Sequence, residues 1–290
     1  MRLILSFLLV VTALGVRGGV TYGEVMCAQP AQATAESAAT PEPVDFRTTA
    51  FPEDGGDLHI FAAASLTDAY NDMAQHLMDE NPNLNITIET AGSQTLVTQL
   101  EEGATADVLA TADTATMDRA QESGLISDDP VMFTSNRLVI VTPANNPAGI
   151  ESIDDLAGDN ISLVLANPEV PVGNYSMLAF CDYANGEEAP DGFINAINNN
   201  LVSEEPDVRH VLTKVQLGEA DAGIVYASDA TASMLNGVEL QVIEFPESVR
   251  TSAGYPIALV DGGNTELGTA FISFVLSDEG QEILAHYGFQ

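Results

Sequence analysis

Two serines lie where predicted strands end and predicted helices begin. Ser65, in the stretch FAAASLTDAY, follows the apolar run LHI, and Ser93, in AGSQTL, follows the strand-like run ITIE. A serine at a helix start commonly accepts a backbone N–H bond, which contributes about 1 kcal/mol, and this structural role stays open for both residues. Helix N-termini also present free N–H groups and a partial positive charge. Two hydroxyls at two such starts therefore indicate a site for an anion.

Two further junctions share this pattern of small or hydroxyl residues. The stretch PEVPVGNY (168–175) follows the apolar pair VL, and DVR (207–209) opens a predicted helix. In α/β sheets, ligands bind beyond the carboxyl ends of the strands. A tetrahedral dianion only accepts hydrogen bonds, so neutral hydroxyl and N–H donors suffice to hold it. We expect Arg209, beside Val208, to form a surface ion pair with one of the many acidic side chains.

Strand-like runs alternate with amphipathic stretches throughout residues 57–290, which predicts α/β layers with mainly parallel sheets. The predicted strands cover residues 58–62, 84–89, 108–111, 138–141, 161–165, 222–225, 240–245 and 255–260. Near the C-terminus, SDEG at Ser277 to Gly280 predicts the end of one helix and the N-cap of another.

Composition excludes some partners. The chain has 290 residues, with 43 acidic against 8 basic side chains and a formal net charge of -35. This negative surface argues against nucleic acid or anionic lipid as a partner. This composition fits a protein of a salt-rich extracellular setting, and it equally fits an ordinary acidic secreted protein.

The first 26 residues predict an export signal, because Arg2 precedes an apolar run from Leu3 to Val16 that is too short to span a bilayer. Residues 27–56, rich in Ala, Pro, Thr and acid, predict a disordered tether. Cys27 stands before this tether, as in lipid-anchored exported proteins, whereas the preceding Glu24, Val25 and Met26 differ from the usual small residues. A lipid anchor on Cys27 therefore stays open. We interpret Cys181 as a buried, small apolar side chain.

Six motifs, in order, resemble the periplasmic molybdate-binding proteins of ABC importers. They are FAAASL, AGSQTL, EEGATADVLATAD, ANPEVPVGNY, DVRHVL and GEADAGIVYASDA. The resemblance covers residues 57–290, and FAAASL together with GIVYASDA is its most specific part.

The resemblance implies a type II periplasmic-binding-protein fold with two lobes and two hinge crossings, near residues 136–138 and 251–255. Lobe 1 would comprise residues 57–136 and 252–290, and lobe 2 residues 137–251. The oxyanion would be bound by Ser65, Ser93, Val172, Val208 and Tyr226, the two valines through their backbone N–H groups. These are metal-site residues only if molybdate is counted as a metal.

The resemblance also implies an exported, monomeric, non-enzymatic protein, periplasmic or attached to the cell surface, that binds molybdate or tungstate without any cofactor. Its partners would be the oxyanion and a membrane permease. Two alternatives stay open. One is a binder of sulfate, phosphate or iron with the same fold. The other is a serine hydrolase, which needs a general base near Ser65 or Ser93, and no histidine is adjacent to either in sequence.

Overall fold

The computed structural model describes Cys27 and residues 50–290. The predicted export signal (1–26) and residues 28–49 of the predicted tether lie outside the described residues. No helix within the described ranges is long and apolar enough to cross a membrane.

The described residues form nine strands. They are β1 (Gly56–Ala63), β2 (Leu84–Ala91), β3 (Val108–Ala110), β4 (Val131–Pro143), β5 (Leu163–Ala166), β6 (Leu201–Glu205), β7 (Ala222–Tyr226), β8 (Leu240–Glu244) and β9 (Ser252–Leu259). Eight coincide with predicted strands. The prediction missed β6 and the first half of β4, because their sequences LVSEE and VMFTSN mix apolar and polar residues.

Helices follow most of the strands. They are α1 (Thr67–Glu80), α2 (Ser93–Glu101), α3 (Thr114–Glu122), α4 (Pro171–Ala184), α5 (Phe193–Asn200), α6 (Val208–Gln216), α7 (Ala227–Leu235), α8 (Thr265–Val275) and α9 (Asp278–His286). A single 3-10 turn, Ala64–Leu66, joins β1 to α1. The predicted cap before α9 is confirmed, since the Ser277 side chain accepts a hydrogen bond from the Gly280 N–H.

Strand β4 connects two sheets. Its first half, up to Arg137, pairs antiparallel with β9, in a sheet of order β2-β1-β3-β9-β4. From Leu138 onward it pairs antiparallel with β7 and β8, in a second sheet that continues through β5 to β6. We call the first sheet with its helices lobe 1 and the second sheet with its helices lobe 2. The Leu138 N–H bonds to the Thr251 carbonyl, so the chain leaves and re-enters lobe 1 at adjacent points.

Strands β1 to β3 and β5 to β7 run parallel within their sheets, as predicted, whereas β4, β8 and β9 form antiparallel pairs. In lobe 1, β1 runs parallel to β2 and β3, and in lobe 2, β5 runs parallel to β6 and β7. The carboxyl ends of these strands lead into the helix starts that the sequence singled out. Parallel topology therefore gathers several helix N-termini at one edge of each sheet.

Aromatic rings pack where the two sheets meet. The fully buried Tyr255, on β9, has its ring centroid 5.8 Å from Tyr226, 6.3 Å from Phe133 and 5.5 Å from Phe289. These edge-on contacts link β7 of lobe 2 to the C-terminal residues of lobe 1, which fixes the rings beside the lobe junction.

Cys27 and Cys181 form a disulfide, with a Cα–Cα distance of 5.4 Å. This corrects the interpretation of Cys181, which is half-buried on α4 and bonded rather than an isolated apolar side chain. It also bears on the lipid anchor, because a sulfur bonded to Cys181 is not available for a thioether to lipid. The structure thus favours the disulfide over the anchor at Cys27. Such bonds persist in oxidising compartments, which agrees with export.

Candidate functional site

A small cavity lies between the lobes at the carboxyl ends of the parallel strands. It encloses about 210 Å³ of space free of atoms, part of it open to solvent. So little space suits a compact ion better than an organic ligand. Its lining comprises Ala63, Ala64, Ser65, Gly92, Ser93, Ala112, Val170, Pro171, Val172, Asp207, Val208 and Tyr226. The structure therefore brings together all five residues predicted for the oxyanion site.

Helix starts from both lobes point at this cavity, and most of them lack a side-chain cap. The first turn of a helix leaves N–H groups without intrahelical partners. No side chain caps the 3-10 turn that holds Ser65, nor α2, which begins at Ser93, nor α4, in which Val172 is the second residue. Helix α6, which begins at Val208, is capped by Asp207 through the His210 N–H. Uncapped N–H groups are thus left for a ligand that accepts hydrogen bonds.

The Ser93 hydroxyl is oriented by lobe 1. Its oxygen accepts a hydrogen bond from the Ala112 N–H at 3.1 Å, and the side chain is buried. Because that bond uses a lone pair of the oxygen, the hydroxyl hydrogen stays free to donate into the cavity.

The Ser65 hydroxyl is held by residues of the connecting strands. Its oxygen lies 2.8 Å from the Tyr255 hydroxyl oxygen, which in turn accepts from the Asn136 amide at 3.4 Å. When Tyr255 donates to Ser65, the Ser65 hydrogen points to the cavity. Sequence reasoning missed Tyr255, Asn136 and Ala112. Tyr255 contacts Ser65 across 190 residues, Asn136 contacts Tyr255 across 119, and Ala112 contributes only its backbone N–H.

Tyr226 contributes a hydroxyl group from lobe 2. This oxygen is buried and has no hydrogen-bond partner among the described residues. Burial raises the pKa of Tyr226 well above its usual 10, as does the nearby Tyr255, so the phenol stays neutral and can donate. A buried, unpaired hydroxyl is unfavourable by about 1–3 kcal/mol, which an anion in the cavity would offset.

The two lobes approach each other closely beside Ser93. A methyl group at Gly92 would lie 2.7 Å from the Pro206 carbonyl oxygen of lobe 2, and the Gln94 amide donates to that same oxygen at 3.2 Å. Glycine is therefore required at position 92 by the backbone of the opposite lobe. The small residue before Ser93 in AGSQTL therefore has a steric reason.

Comparison with known proteins agrees with the geometry. Residues 58–290 match the family model described as bacterial extracellular solute-binding protein. The molybdate-binding protein ModA of Mycobacterium tuberculosis (H37Rv) is 38% identical over 231 residues, which cover 79% of this chain and 83% of the relative. ModA of Escherichia coli (K12) is 34% identical over 238 residues, covering 81% and 90%.

Solved structures share the fold. The substrate-binding domain of a putative molybdenum ABC transporter from Clostridium difficile has a TM-score of 0.59 and 28% identity, covering 81% of this chain and 98% of that one. The sulfate-binding protein SubI of Mycobacterium tuberculosis has a TM-score of 0.71 at 19% identity, covering 80% and 86%.

Proposed function

The chain belongs to the bacterial extracellular solute-binding proteins, and from this premise we propose that it captures molybdate or tungstate between its lobes. The bound oxyanion would then be delivered to the permease of an ABC importer. The ligand would accept hydrogen bonds from the hydroxyls of Ser65, Ser93 and Tyr226 and from the N–H groups of Val172 and Val208.

One observation carries this proposal: donors from both lobes converge on one small cavity in which the Tyr226 hydroxyl is buried without a partner. The donor groups are neutral and fixed by helix starts, so little order has to be imposed when the ion binds. Asp207 is the only carboxylate in the lining, and both of its oxygens are engaged by His210. The cavity thus presents donors to its ligand.

The same contacts argue for binding rather than hydrolysis. A nucleophilic serine needs a general base within hydrogen-bond reach. Ser65 is partnered by a tyrosine hydroxyl and Ser93 by a backbone N–H, neither of which is a base at neutral pH. We therefore propose that the protein is not an enzyme and needs no cofactor besides its transported ion.

The proposed setting is extracytoplasmic, either periplasmic or at the cell surface. The family supports export, and the disulfide between Cys27 and Cys181 supports an oxidising compartment. One chain supplies the donors of both lobes, which supports action as a monomer.

Calorimetric titration with molybdate, tungstate, sulfate and phosphate in parallel tests the proposal. We expect molybdate and tungstate to bind with similar affinity, because the two ions have nearly equal size and charge. Phosphate should bind more weakly. At neutral pH it carries a proton that finds no acceptor in the cavity, which costs about 1–3 kcal/mol, or roughly 5- to 150-fold in Kd.

Sulfate is the informative competitor, since it is a smaller tetrahedral dianion. Tighter binding of sulfate than of molybdate would replace the proposed ligand with another oxyanion at the same site. Failure of all four ions to bind would reject the oxyanion site itself.

A further inference from the structure

Arg209 reaches across the cleft beside the cavity. It is the second residue of α6 in lobe 2, next to Val208, which lines the cavity. Its Nε donates to the Ala64 carbonyl oxygen of lobe 1 at 3.2 Å, and its Nη2 pairs with the carboxylate of Asp68 in the first turn of α1. Arg209 therefore forms an ion pair between the lobes rather than the surface pair that the sequence suggested.

A buried carboxylate of lobe 2 fixes the direction of this side chain. Asp229, on α7, is fully buried, and its Oδ1 lies 3.0 Å from Arg209 Nε. An unpaired charge at such a position is strongly unfavourable, so Asp229 keeps the guanidinium in place. Asp68 also receives a second donor from lobe 2, the amide of Asn236 at 3.4 Å. Lobe 2 thus holds a preformed socket for one carboxylate of lobe 1.

We propose that Asp68 and Arg209 form a latch that holds the lobes closed over the bound oxyanion and sets the rate at which the ion leaves. The ion has to exit between the lobes, so the latch breaks in the opening step. In an open protein the latch is unformed, and it does not affect the first encounter with the ion. Its contribution therefore belongs to the rate of release.

The position of the pair supports a measurable effect. The side chains of Arg209 and Asp68 are only 28% and 24% exposed. Pairs on an open surface contribute little, whereas a partly buried pair with several hydrogen bonds is stronger and less screened by salt. The latch also borders the two cavity segments directly, through Ala64 and Val208.

Asp68→Asn is the variant that isolates the latch. Replacing Arg209 would leave Asp229 buried without its partner and would disturb lobe 2 itself, whereas Asp68→Asn leaves the pair of Arg209 and Asp229 intact. Asp72→Asn is the matched control, since Asp72 lies one turn further along α1 and accepts from the Tyr287 hydroxyl at 2.6 Å, within lobe 1. Both variants remove one negative charge from the same helix.

The experiment measures binding and release of molybdate by stopped flow, using the full exported chain. We expect Asp68→Asn to release molybdate about 5 to 20 times faster than Asp72→Asn. The association rate should agree within about twofold between the two variants.

Equal release rates in the two variants would overturn the latch, and so would a weaker affinity that arises only from slower association. The inference rests on the proposed function. If the wild-type protein does not bind molybdate, both fail together, whereas binding by wild type with unchanged release in Asp68→Asn rejects the latch alone.

Discussion

Tyr226→Phe should raise the Kd for molybdate by about 10- to 150-fold. A hydrogen bond to a charged group contributes about 1.5–3 kcal/mol, and 1.4 kcal/mol corresponds to a factor of ten. The Tyr226 hydroxyl has no other partner among the described residues, so its removal takes away a bond to the ligand and no internal bond. The phenylalanine ring keeps its packing against Tyr255. The ligand-free variant should therefore be at least as stable as the wild type.

Tyr70→Phe is a matched control for this change. Tyr70 lies on α1, is fully buried, and also has a hydroxyl without a partner in the described part of the chain, yet it does not line the cavity. Calorimetry should give this variant the wild-type Kd. Equal losses of affinity in the two variants, or no loss in Tyr226→Phe, would remove Tyr226 from the site.

Asp229→Asn should stabilise the ligand-free protein, and increasingly so as the pH rises. Burial raises the pKa of Asp229 from 3.8 to about 6, against the opposing effect of Arg209. Between about pH 4 and pH 6, the Asp229 carboxyl is therefore protonated in the folded state and ionised in the unfolded chain. The free energy of unfolding falls as the pH rises through this window, and the penalty is constant above it. At about 1.4 kcal/mol per pH unit, the penalty reaches up to about 3 kcal/mol at pH 8.

The charged groups around Asp229 come from several elements. Arg209 and Asp207 belong to the start of α6 and Asp68 to α1, and the two neighbouring carboxylates raise the Asp229 pKa further. Asparagine has no charge to bury, so the advantage of the variant over wild type should grow by about 1–1.5 kcal/mol between pH 5 and pH 8. Urea unfolding across this range measures it.

Asp118→Asn serves as the control for that titration, because Asp118 is an exposed residue of α3. It should show no such growth with pH. An Asp229→Asn advantage that stays constant or shrinks as the pH rises would contradict the assigned cost of the buried carboxylate. The expected gain also implies that the wild-type chain keeps Asp229 at a cost in stability, because Asp229 holds Arg209 in position.

Sequence reasoning found residues that line the cavity because their signals are local. A hydroxyl or small residue after a buried strand marks a helix start, and four such junctions are visible in the one-dimensional pattern around Ser65, Ser93, Val172 and Val208. Parallel strands then bring these starts to one edge of each sheet. The alternation of strands and helices likewise indicated the α/β class.

Contacts between residues that lie far apart in the sequence could not be predicted from it. Tyr255 supports Ser65 across 190 residues, and Cys27 pairs with Cys181 across 154. Nothing near any of these residues in sequence indicates its partner. Arg209 shows the same limit, since the sequence offers many acidic partners. The fold of lobe 2 selects Asp229, and the approach of lobe 1 adds Asp68.

The central claim is that uncharged donors from both lobes hold a tetrahedral dianion in the cavity between them. Anomalous diffraction from molybdenum in crystals of the molybdate complex tests it most directly. We predict one strong peak inside the cavity, with ligand oxygens about 2.7–3.0 Å from the hydroxyl oxygens of Ser65, Ser93 and Tyr226. A molybdenum peak elsewhere on the protein, or one in the cavity bound through an arginine or lysine side chain, would contradict the claim.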